Sequence, residues 1–172
     1  MSGAIRIVLL ALSAVLAAAA ALAQAPNKPE PFDAGAYPKD VQAALQNARD
    51  ECKRQGGSGV TFAPGTVRKL DLNGDGRDDY IVDLRDAECA GRPAVFCGTG
   101  GCNLDILVAL RGGRFRIVFS DRVREYELLP PGRGIRSIRF QLHGAYCGSY
   151  GNPSCPRTHR ITRRKFEFKQ PL

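Results

Sequence analysis

From Asp40 onward the apolar residues follow two distinct rhythms. Val41, Ala44, Leu45, Ala48 and Cys52 recur three and four positions apart, with Gln42, Gln46, Arg49, Asp50 and Lys53 between them, so one stripe of a helix is apolar. Asp40 is placed to cap that helix, and Gly56 and Gly57 to stop it. Beyond the glycines the period falls to two. Leu104, Ile106, Val108 and Leu110 share one face of a run ending at Arg111-Gly112-Gly113-Arg114, and Phe115, Ile117 and Phe119 share one face of the next run, which predicts a hairpin. Ile138, Phe140 and Leu142 alternate with Arg139, Gln141 and His143, and Phe166 and Phe168 alternate with Lys165, Glu167 and Lys169. The pattern predicts an α+β fold: one N-terminal helix packed on a mostly antiparallel β-sheet of about five to seven strands, with one face covered and the other polar.

The segment ahead of this domain has a different character. Arg6 is followed by an apolar run from Ile7 to Leu22, and Ala21-Leu22-Ala23 supplies small residues for cleavage, as in a secretory signal. The run is shorter than the roughly 20 apolar residues that span a bilayer. Residues 1–23 are therefore expected to be a signal peptide, residues 24–36 a Pro-rich extended leader, and residues 37–172 a single domain, periplasmic or secreted and with no transmembrane segment after cleavage. The first cysteine is Cys52, too distant for a lipid anchor at the cleavage site.

Cys52, Cys89, Cys97, Cys102, Cys147 and Cys155 form an even set, which in an exported chain points to disulfides. Their spacings lack the paired short intervals of a zinc site. Gly148, Gly151, Asn152 and Pro153 bend the segment between Cys147 and Cys155 back on itself and favour a local bridge there. Three pairings remain open for the other four; the spacing leans to Cys97 with Cys102 and Cys52 with Cys89.

Asp71-Leu72-Asn73-Gly74-Asp75-Gly76-Arg77-Asp78-Asp79 places oxygen-bearing groups at alternate positions around glycines and leads into the strand-like Tyr80-Ile81-Val82. Hard cations take six to eight oxygens, and like charges this close repel unless a cation lies among them. The stretch resembles the calcium loop of integrin-type FG-GAP and VCBS propeller blades over about a dozen residues. That resemblance implies Ca²⁺ held by the side chains of Asp71, Asn73, Asp75 and Asp79 and the main-chain carbonyl of Arg77. Propellers repeat every 40 to 50 residues or so, whereas this chain has one such loop and no repeat. The cysteine–glycine arrangement around Cys97-Gly98-Thr99-Gly100-Gly101-Cys102 is similar to uncharacterised small periplasmic proteins of Gram-negative bacteria, a likeness that implies no activity.

Charge is distributed unevenly. The chain carries a net +8, and from Arg111 onward fourteen Arg and Lys stand against four Asp and Glu. A basic surface attracts anions in a salt-dependent way, so an anionic envelope component or an envelope protein is the expected partner, and nucleic acid is not. Only His143 and His159 are present, without a nucleophile elbow or zinc-protease motif. No catalytic residue is assigned, and the chain reads as a non-enzymatic, exported calcium-binding domain. The alternative is an inhibitor or accessory factor, for example of a lysozyme, acting through a disulfide loop.

Overall fold

The computed structural model describes residues 32–149 and 153–171; the expected signal peptide and all but the last five residues of the expected leader lie outside the described residues. Helix α1 spans Lys39–Arg54 and buries Val41, Ala44, Leu45, Ala48 and Cys52, the stripe its periodicity predicts. Each large apolar side chain so buried contributes about 1.5–3 kcal/mol. Pro38, rather than Asp40, occupies the N-cap. Asp40 lies inside the first turn, where its carboxylate accepts from the Phe115 backbone N–H at 2.7 Å and ties the helix to a strand 75 residues away. At the other end Gly56, with φ of +83°, turns the chain out of the helix.

Ten strands follow among the described residues: β1 (Val60–Thr61), β2 (Val67–Leu70), β3 (Asp79–Asp83), β4 (Glu88–Cys89), β5 (Cys97–Gly98), β6 (Gly101–Ala109), β7 (Phe115–Val123), β8 (Glu125–Leu128), β9 (Ser137–His143) and β10 (Ser154–Arg160). They form three sheets rather than one of five to seven strands. The central sheet runs β2-β3-β6, with β5 and β7 also paired to β6; β8-β9-β10 make a second sheet, and β1 pairs with β4. All pairings are antiparallel.

Both faces of the central sheet are covered. Tyr80, Val82 and Leu107 face α1 in one cluster, while Ile81, Leu104, Ile106 and Val108 pack with Ile138, Phe140 and Leu142 of the second sheet in another. The expectation of a single covered face fails because the greasy faces of β6 and β9 are turned towards each other, giving a helix–sheet–sheet stack. Phe166 and Phe168 close the second cluster beside Phe119 and Phe140.

A bulge in β7 changes which of its residues meet the helix. Ile106 pairs with Phe119 but Leu107 pairs with Ile117, so Val118 is an extra residue in β7. Such an insertion shifts the two-residue phase by one. Phe115 and Ile117 therefore pack towards the helix, whereas Val118 and Phe119 turn to the second sheet.

Three disulfides join Cys52 to Cys89, Cys97 to Cys102 and Cys147 to Cys155. The first clamps α1 to β4 across 37 residues, a loop worth about 4 kcal/mol in the chain-entropy account. Packing also reaches further towards the N-terminus than Tyr37, since Phe32 lies against Phe62 at 5.3 Å between ring centres.

Candidate functional site

The acid-rich stretch forms the turn between β2 and β3. Its glycines permit it: Gly74 and Gly76 have φ of +74° and +76°, a region that side chains with a Cβ avoid. Asp71 braces the turn from within, one carboxylate oxygen accepting from the Gly74 N–H at 2.7 Å and the other from the Gly76 N–H at 2.9 Å. Gly74 also packs directly on the backbone of Gly134, where a Cβ would collide with the Gly134 carbonyl.

Asp79 closes the turn from below. It is wholly buried, and its two oxygens accept from the backbone N–H groups of Leu72 at 2.9 Å and Ala109 at 2.8 Å. Burial pushes its pKa up from the ordinary carboxylate value, while those amides oppose the shift. Asp75 behaves in the opposite sense. Its carboxylate accepts from the Arg77 backbone N–H at 3.0 Å, from the Arg77 guanidinium at 2.9 Å and from the Arg163 guanidinium at 2.8 Å. Arg77 chiefly, with Arg163 adding to it, holds Asp75 well below the usual carboxylate range.

The turn is thereby fastened to the second sheet and to the C-terminal segment. The Arg136 N–H donates to the Leu72 carbonyl at 2.9 Å, its side-chain Nε donates to the Asp71 carbonyl at 3.3 Å, and the Ile161 N–H in turn donates to the Arg136 carbonyl at 3.0 Å. Leu72 is fully buried between the sheets. Lys69 pairs with Asp78 at 2.9 Å on the exposed side.

The carboxylates among the five expected calcium donors are all engaged by groups of the protein itself. Asp79 faces inward to amides, Asp71 to the amides of its own turn, and Asp75 to two guanidiniums; the Arg77 backbone N–H and side chain both turn to Asp75. Asn73 keeps its side-chain Nδ2 buried without a hydrogen-bond partner. Among the described residues no group of three or more His, Cys, Asp or Glu is arranged to hold a metal ion. Two guanidinium groups thus supply Asp75 with the positive charge that the sequence argument asks of a cation. The nine-residue stretch contains Arg77 but gives no sign of Arg163, which lies 88 residues beyond Asp75.

Four residues of the basic half gather along one edge. Arg116 of β7 donates to the Arg163 carbonyl at 3.4 Å and the Phe166 N–H donates to the Val118 carbonyl at 2.8 Å, so the C-terminal segment runs beside β7. This brings Arg116, Arg163, Arg164 and Lys165, all exposed, to the same region. Both histidines have structural roles: the His143 side chain accepts from the Ala145 N–H at 3.2 Å, and His159 stacks on Phe166 at 3.8 Å.

A second location gives little sign of itself in the sequence. Asp105 lies in β6 on the face turned to α1, in a cleft between that helix and the sheet. The signal is an acid within the apolar run Leu104 to Leu110, but period-two alternation assigns such a residue to a solvent face, and here that face is covered.

Comparison with known proteins finds no match: no family model, no curated protein and no solved structure matches the chain.

Proposed function

We propose that this chain is an exported, non-catalytic domain that holds an anionic envelope component on the basic edge formed by β7 and the C-terminal segment. The observation that carries the reading is the imbalance of exposed charge. Arg139 pairs with Glu127 and Arg163 with Asp75, but the exposed Arg111, Arg114, Arg133, Arg160, Arg164 and Lys165 make no ion pair among the described residues. Cations left without internal partners are available to phosphate or carboxylate groups of a ligand. Three disulfides are consistent with an oxidising compartment, and no described helix is long and apolar enough to cross a membrane.

In this reading the acid-rich turn is a clasp that positions the basic segment. A calcium ion at Asp75 would share that carboxylate with Arg77 and Arg163, so calcium and the C-terminal segment would compete for it. Co-sedimentation with phosphatidylglycerol vesicles and with neutral phosphatidylcholine vesicles, at low and high salt, tests the proposal. Binding to the anionic vesicles alone, weakened by salt and by combined Arg116→Ala, Arg164→Ala and Lys165→Ala, is expected. Equal binding to both vesicle types, or none to either, would contradict it.

A further inference from the structure

We infer that the cleft between α1 and the central sheet is a binding site for a primary ammonium group on a short alkyl chain. The cleft has a volume of about 480 Å³ and is distinct from the basic edge. Ala44 and Ala48 of α1 and Ile117 of β7 give it an apolar lining, and the small helix residues leave the space open. Asp105 stands within it, with Asn47, Glu51, Ser120 and Arg122 around it.

Of the charged groups lining the cleft, only Glu51 is held in an ion pair among the described residues. Glu51 accepts from Arg54 at 2.6 Å and from Gln55 at 2.9 Å, and Asp121 accepts from the Tyr146 hydroxyl at 2.6 Å. The Arg122 guanidinium is spent on neutral acceptors, the Asn103 side-chain oxygen at 3.0 Å and the Val95 carbonyl at 2.9 Å. Asp105 is bonded to the Ser120 hydroxyl and makes no ion pair among the described residues. Burial raises its pKa accordingly.

A carboxylate partly drawn out of water and answered by one hydroxyl carries a cost when ionised, and a cation arriving beside it reduces that cost. An alkylammonium suits both halves of the cleft, since the charge meets Asp105 while the methylenes lie on Ala44, Ala48 and Ile117. A neutral polyol would leave the carboxylate uncompensated, and an anion would meet Asp105 and Asp121 with Arg122 alone to offset them. Two sources offer this chemistry, a free diamine or the side chain of a lysine.

Calorimetric titration of the full mature chain with putrescine, with Nα-acetyl-lysine amide and with butanediol tests the assignment. Saturable binding of at least one amine, with none of the diol, is expected; the amine that binds more tightly identifies the source. Asp105→Asn should weaken binding at least tenfold, and amine affinity should fall as pH drops towards the raised pKa of Asp105, the other ionisable groups facing it being Glu51, Asp121 and Arg122. Asn47→Trp, an exposed helix position at the mouth, should block entry without touching the carboxylate. Diol and amine binding alike, no binding of either amine, or full amine affinity in both variants would overturn the inference.

Discussion

Asp75 and Arg163 are joined at 2.8 Å across 88 residues of sequence, the turn after β2 reaching a guanidinium of the C-terminal segment. With Arg77 on the same carboxylate, the pair converts a run of acids that should repel one another into a fastening between the sheets and the chain's last segment. Position, more than raw energy, is what the contact contributes, because Arg163 is about half exposed and water screens part of its attraction.

Truncation measures how far the clasp matters. Asp75→Ala removes bonds to two guanidiniums and one backbone amide and is expected to cost about 2 kcal/mol in urea unfolding. Arg163→Ala alone should cost about 0.5–1 kcal/mol. The double variant should fall short of the sum, since the two residues act on one another. Strict additivity would show that the pair does not couple in solution.

Gly74 supplies a steric test. Gly74→Ala demands a left-handed backbone and drives a methyl group into the Gly134 carbonyl, so a loss of about 2 kcal/mol or more is expected from thermal unfolding. Gly76 has the same sign of φ but open space where a methyl group would stand, so Gly76→Ala should cost less, about 1 kcal/mol.

Stability against pH should carry two opposing signatures. Asp75 is held low by Arg77 and Arg163, so its contribution is present above the unfolded carboxyl value of about 3.9 and is lost as pH falls through its lower folded value. Asp79 and Asp105 are raised by burial, so their contribution is complete below about 3.9 and is lost as pH rises through their folded values. Urea midpoints measured from acid to neutral pH should show Asp75→Asn flattening the acid-side loss. Asp105→Asn should leave neutral-pH stability unchanged or raise it by up to about 1 kcal/mol, as expected where a desolvated charge serves binding rather than folding.

Tyr146 offers a spectroscopic reading of the same surface. Burial, helped by the hydroxyl's bond to Asp121, pushes its pKa up to about 12. A phenolate absorbance titration should lose one late-titrating phenol in Tyr146→Phe. Its folding contribution is present below the free phenol value of about 10 and is lost as pH rises through the folded value.

Local patterns carried much of the fold. The stripe from Val41 to Cys52 is the buried face of α1, the runs before and after Gly112-Gly113 are β6 and β7, and the three bridges join the cysteines towards which the spacing leaned. What stayed hidden was relational. The extra residue at Val118 reverses the phase of β7 in mid-strand, and alternation cannot say whether a polar-looking face is open to water or lies beneath a helix, as it does at Asp105. At the acid-rich turn the residue types and the local partners Gly74, Gly76 and Arg77 were legible, but Ala109, Arg136 and Arg163 also hold the turn, each remote in sequence.

Whether guanidinium groups serve the acid-rich turn in place of a metal ion is tested most directly by thermal melting of the oxidised mature chain in millimolar calcium and in chelator, with Asp75→Ala as the control. The clasp predicts melting temperatures for the unaltered chain that agree within about 1 °C in the two conditions. A calcium-dependent rise of about 3 °C or more, abolished in Asp75→Ala, would contradict it.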